Sequence, residues 1–128
     1  MDLSGLQRGH FFTILEQMAA RSQLGEFELI VLLALLRLGD DAYGVPIARV
    51  IEESTGREVG IGSVYAALER LEQKQLVSSS LGEPTPERGG RAKRFFRVTK
   101  AGLQQVRKTQ RVLVALWQGL PQLEERRA

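Results

Sequence analysis

Residues 62–102 read GSVYAALERLEQKQLVSSSLGEPTPERGGRAKRFFRVTKAG, and no other stretch of the chain carries as much structural signal. Its first part has the period of a short amphipathic helix. Val64, Leu68 and Leu71 fall on one face at i, i+4 and i+7, while Ser63, Ala66, Arg70 and Gln73 lie opposite and Tyr65 sits on a flank. Ser63 is placed to cap this helix, which ends near Gln75. Residues 76–81 and 94–98 are short enough for two antiparallel strands, with the turn-rich loop GEPTPERGG between them. Alternation puts Phe96 and Val98 on one side of the second strand, and Arg91, Lys93, Phe95 and Arg97 on the other. A helix able to lie in a groove, followed at once by a basic β-ribbon, is what a winged helix-turn-helix needs to grip DNA.

Charge separates along the chain in the same sense. Residues 1–87 hold 7 Lys/Arg against 13 Asp/Glu, a net of −6, and residues 88–128 hold 11 against 2, a net of +9. Between Arg88 and Arg111 there are nine basic residues and no acidic one. The formal net charge of +3 hides this asymmetry. A basic hairpin can be a solvated edge that discourages strand pairing. The missing acids and the adjoining helix favour phosphate contact instead.

Working outward, residues 8–21 place Phe11, Phe12, Leu15 and Met18 at helical spacing, so residues 1–23 are expected to contribute an N-terminal amphipathic helix. The next helix runs from about Glu26 to Leu38 and stops at Gly39-Asp40-Asp41. Its apolar residues wrap most of the circumference, as in a helix covered on more than one side, here by its own domain and a partner subunit. Tyr43-Gly44-Val45-Pro46 opens another helix, with Pro46 in its first turn and Gly56 as its stop. Val59 and Ile61 alternate with Glu58, Gly60 and Gly62, which predicts a two- or three-residue strand. Thr99 caps a final helix over about residues 100–119, ended by Pro121. In it Leu103, Val106, Gln110, Leu113, Trp117 and Leu120 advance by alternating steps of three and four, the seam of a helix that pairs with another helix. The expected fold is mostly α with a small β-hairpin. Residues 24–99 form the winged helix-turn-helix, and residues 100–128 a dimerisation helix and tail.

The 128-residue length suits one domain. There is no cysteine, which excludes disulfides, thiolate zinc sites, iron–sulfur clusters and cysteine nucleophiles and points to a reducing cytoplasm. His10 has no carboxylate or second imidazole near it in sequence, and there is neither a glycine-rich phosphate cradle nor a motif of paired carboxylates. Neither an enzyme nor a cofactor is expected. No basic-then-apolar leader opens the chain. The greasiest run, residues 29–38, is ten residues long and interrupted by Arg37, against the roughly 20 apolar residues a membrane span needs.

From about residue 24 to residue 120 the chain resembles the PadR family of bacterial transcriptional regulators. The resemblance rests on the apolar helix ending Leu-Arg-Leu-Gly, on Ala42-Tyr43-Gly44-Val45-Pro46-Ile47, on residues 62–72 and on residues 89–102, in the right order and spacing. It implies a homodimeric winged helix-turn-helix repressor of detoxification, efflux or stress genes. It also implies DNA contacts by Ser63, Tyr65, Arg91, Lys93 and Arg94. Ala66 stands where many members place a proline, a change that a first helical turn tolerates. The single C-terminal helix resembles the short branch of the family, in which planar aromatic compounds are among the inducers.

These residues lead to a sequence-specific regulator that binds a pseudo-palindromic duplex as a homodimer. Ser63 and Tyr65 offer hydroxyls to phosphates or base edges, and Arg70 could read a guanine edge. The contrasting expectation is a winged-helix protein-interaction module whose basic wing binds acidic partners. Symmetry across the pairing seam would bring two copies of Trp117 together, where they could sandwich a flat aromatic effector. The simpler role for Trp117 is an interface anchor.

Overall fold

The computed structural model describes residues 24–84 and 92–124. The amphipathic stretch at 8–21 and Arg91 lie outside them. The described part is helical with one two-stranded antiparallel sheet.

Helix α1 spans Glu26–Leu38. Glu28 reaches back to accept the Gly25 N–H at 3.0 Å, which occupies one of the donors that a helix start leaves open. Val31, Leu32, Ala34 and Leu35 are buried, while Leu33 and Leu36 on the far side are exposed, so α1 is apolar beyond the needs of its own core. A short 3₁₀ turn, Gly39–Asp41, leads to α2, Gly44–Thr55. Helix α2 stops at Gly56, whose left-handed backbone (φ 72°) returns its N–H to the Glu52 carbonyl.

Helix α3 spans Ile61–Gln73 and buries Val64, Ala67, Leu68 and Leu71 completely. Two expectations fail at its start. The predicted strand around Val59 and Ile61 does not form: the Val59 N–H donates to the Glu52 carboxylate at 3.1 Å, and Ile61 is already helical. Nor does Ser63 cap the helix. The cap is Gly60, whose carbonyl accepts the N–H groups of Ser63 and Val64, and Ser63 stands two residues inside. Glycine and serine are both favoured caps, and here the earlier one prevails. The far end closes at Gln73, two residues before the expected end. The Leu76 N–H bonds the Leu71 carbonyl and the Gln75 N–H bonds that of Glu72, with Gln75 in the left-handed region at φ 62°. This is a Schellman closure with glutamine where glycine is usual.

Strands β1, Val77–Pro84, and β2, Ala92–Val98, pair from Val77↔Val98 to Leu81↔Arg94, with an irregularity before Pro84↔Ala92. Phe96 turns inward and its N–H reaches the Ala42 carbonyl at 2.8 Å, tying the hairpin to the link between α1 and α2. Thr99 then caps α4, Lys100–Trp117, by accepting the Gly102 N–H at 3.0 Å. Its own N–H goes to the Leu76 carbonyl and its hydroxyl donates to that of Gln75, so the end of α3 and the start of α4 share one junction. Gly102 is buried there because a side chain would collide with the Leu76 carbonyl. Val106 packs into this core, and every residue from Gln110 to Leu120 is exposed.

Candidate nucleic-acid interface

The outer face of α3 is open. Ser63, Ala66, Arg70 and Gln73 are exposed, as the helical period predicts, and no acid lies in the first turn. Tyr65 is 38% exposed, and its ring makes an edge contact with Phe96 at 6.1 Å between centroids. Its hydroxyl leans over the start of α2, so close that a Cβ built on Gly44 would stand 2.7 Å from it. Gly44 is therefore the residue that leaves room for this ring. Among the described residues the Tyr65 hydroxyl has no hydrogen-bond partner, which leaves it free for a ligand.

The hairpin sits beside this face. Lys93, Arg94 and Arg97 all lie on β2, which carries no acid. Their environments differ in kind. The Lys93 ammonium lies 4.4 Å from the centroid of the Tyr43 ring and 3.4 Å from its hydroxyl, a cation held on a neutral aromatic face. Among the described residues Arg97 meets one anion, Asp40, 4.0 Å away with both side chains in solvent. Arg94 is engaged with Glu72 of α3 at 2.9 Å and with Ser79 of β1. The family resemblance places Arg94 among the DNA contacts; here its guanidinium is paired with Glu72 and Ser79, and Arg97, which that set leaves out, is the more exposed of the two.

At the opposite end of α3, Lys74 donates to both oxygens of Glu28 at 3.0 and 2.8 Å. Both side chains are largely shielded. Burial pushes the Glu28 carboxyl up, but the bonds from Lys74 and Gly25 and the charges of Lys74 and Arg70 outweigh it and hold the group below its usual range.

A second surface lies between α1 and α4. An apolar groove of about 490 Å³ is lined by Leu29, Leu33, Val106, Gln110, Leu113, Val114, Trp117 and Gln118. Of the six seam residues, Val106 is buried and Leu103 half-buried against the chain's own core. Gln110, Leu113, Trp117 and Leu120 are exposed, Trp117 by 62%. Among the described residues no three His, Asp or Glu side chains gather as a metal site, and no helix is long and apolar enough to cross a membrane.

Residues 32–108 match the family model of the PadR-like transcriptional regulators. A PadR family transcription regulator from Clostridium difficile R20291 is 25% identical and superposes with a TM-score of 0.61 over 75% of this chain and 96% of its own. A PadR-like transcription factor from Bacteroides fragilis is similar in fold at 23% identity, with a TM-score of 0.65 over 88% of this chain and 99% of its own. An uncharacterized 37.1 kDa protein in transposon TN4556 of Streptomyces fradiae is 42% identical over 72 residues, 56% of this chain. The chain spans about a fifth (19%) of that curated relative's length.

Proposed function

The chain belongs to the PadR-like family of transcriptional regulators, and from that premise we propose that it is a repressor that binds a pseudo-palindromic operator as a homodimer. The observation that carries this reading is the open outer face of α3 beside a hairpin strand bearing three cations and no acid. Helix α3 enters the major groove, with Ser63, Tyr65 and Arg70 facing bases or the nearest phosphates. Lys93 and Arg97, joined by Arg91, follow the backbone alongside. One such helix per protomer requires two half-sites about one helical turn apart, roughly 34–36 Å.

Residues 24–99 are then the DNA-binding part, and the C-terminal helix supplies the pairing surface. Leu33, Leu113, Val114 and Trp117 are exposed apolar side chains that line one groove, and Leu36 and Leu116 are exposed on the same two helices; exposed apolar side chains gathered in this way mark an interaction surface. The first occupant of the groove between α1 and α4 is a second copy of the chain. Its volume also falls in the usual range for small-molecule sites, so a planar aromatic compound stacked on Trp117 is the effector class that fits. Trp117 is the only tryptophan. An effector of this kind quenches its fluorescence saturably and releases the duplex over the same concentration range, while quenching without release marks Trp117 as an interface anchor.

The central test is the affinity for a duplex recovered from a randomised pool, measured across a salt series. Lys93→Ala should lower affinity for all duplexes alike and flatten the slope of log affinity against log salt by about 0.9. An unchanged affinity and slope would make the hairpin a solvated edge and remove the reading.

A further inference from the structure

We propose that Arg94 serves DNA binding as a positioning residue, fixing the hairpin at a set angle to α3 through Glu72 and Ser79 rather than contacting DNA itself. The inference rests on the DNA-binding reading of α3 and the hairpin. Its basis is a closed network joining three elements. The Arg94 guanidinium donates from Nη2 to Glu72 Oε1 at 2.9 Å, and from Nε and Nη2 to Ser79 Oγ at 3.1 and 2.9 Å. The Ser79 hydroxyl, accepting both, donates its one proton to Glu72 Oε2 at 2.5 Å. Every hydrogen-bonding position of that hydroxyl is thereby used, and both carboxylate oxygens are engaged.

The chemistry of the three β2 cations separates their roles. The charge of Lys93 rests on a neutral ring and that of Arg97 faces solvent, so both keep their attraction for a phosphate. The charge of Arg94 is already met by a carboxylate, and neither partner is fully open to water (46% and 35% exposed). A phosphate would have to replace Glu72 while standing next to it. The guanidinium also lies 5.5 Å over the Phe96 ring, which in turn touches Tyr65. Movement of Arg94 therefore reaches both the hairpin and the outer flank of α3. Arginine's planar fork suits such a bridge, and a lysine ammonium cannot reproduce it.

The experiment measures binding of a pool-selected duplex by Glu72→Gln, Arg94→Lys, Arg94→Gln and the Glu72→Gln/Arg94→Gln double variant, each across a salt series. A tether predicts that each single change weakens binding by about fivefold, the upper range for a partly exposed ion pair. The salt slope stays at the wild-type value, and the double variant is no weaker than either glutamine single variant because they break one coupled network. A phosphate contact predicts the reverse. Glu72→Gln would tighten binding by removing a competing anion, Arg94→Lys would bind as wild type, and Arg94→Gln would flatten the slope by about 0.9. Any of those three results overturns the proposal. Melting curves in the same buffers separate loss of fold from loss of positioning. A wild-type protein that binds no duplex would remove the underlying reading, whereas salt-sensitive wild-type binding with a tighter Glu72→Gln variant would refute the tether alone.

Discussion

Replacing Gly102 by alanine sets two physical effects against each other, and the sign of the result shows which prevails. Gly102 is a helical residue of α4, and glycine-to-alanine in a helix interior is ordinarily worth up to about 1 kcal/mol of added stability. At this site the new methyl carbon would lie 2.2 Å from the Leu76 carbonyl oxygen and 2.8 Å from Val98 Cγ1. Ordinary contact therefore requires more than an ångström of movement, and the nearest neighbour is backbone rather than a flexible side-chain end. The same carbonyl accepts the Thr99 N–H, and Thr99 in turn caps α4 through the Gly102 N–H. Overpacking of this kind typically costs about 1–3 kcal/mol. Straining one or two hydrogen bonds adds about 1 kcal/mol each. The expected net loss is about 2–3 kcal/mol, seen as a melting temperature lower by roughly 10 °C at fixed protomer concentration. Urea unfolding gives the free energy directly. Gly62→Ala supplies the internal control, since a Cβ there meets nothing within 4 Å and the change should be neutral or slightly stabilising. If Gly102→Ala proved as stable as the wild type, the close crossing of α4 over the end of α3 would be wrong.

Further expectations follow from individual sites. Gln75→Gly should stabilise the fold by about 1 kcal/mol in urea unfolding, because a residue other than glycine at φ 62° is strained; a destabilised variant would show that the glutamine side chain is needed. Glu28→Gln removes the charge from the group that Lys74 bonds at both oxygens and should cost about 2–3 kcal/mol near neutral pH. The folded carboxyl lies below its unfolded value, so its stabilisation is complete above the usual carboxylate range and is lost as the pH falls through the lowered folded value; the stability gap between wild type and variant should narrow as the pH is taken down through and below that range. A gap independent of pH would refute the ionic origin. Leu113→Glu, on the open side of α4, should leave the melting of the winged helix intact, yield a monomer in sedimentation and weaken binding to the two-half-site duplex; a dimer that persists would move the pairing surface elsewhere.

Where one residue type has one local meaning, the sequence was a sufficient guide. Gly39 and Gly56 mark the ends of α1 and α2 because each closes its helix at positive φ. Local rules that admit two answers were the ones that failed. Gly60 and Ser63 both qualify as caps, and strand-like alternation at Val59 and Ile61 means nothing without a partner strand. The helical period of α4 is plain in the sequence, but a period cannot say what covers a face. Val106 meets its own core while Leu113 and Trp117, on the same seam, meet solvent. The Arg94–Glu72 pair was invisible for a different reason. It depends on the register of β1 against β2 and on how the hairpin rests on α3, neither of which the twenty-three residues from 72 to 94 announce locally.

Helix α3 carries Arg70 between two acids, Glu69 and Glu72, whereas β2 carries only cations. If the proposed DNA-binding reading holds, the long-range attraction that accelerates encounter with DNA comes from the hairpin and is indifferent to base sequence. On that reading, discrimination between sites comes from short-range contacts of a nearly neutral helix. The rate of search and the choice of target are thereby assigned to separate, sequentially adjacent pieces of one chain. Substitutions on the outer face of α3 can redirect the protein to a new site while the speed with which it finds DNA is inherited unchanged.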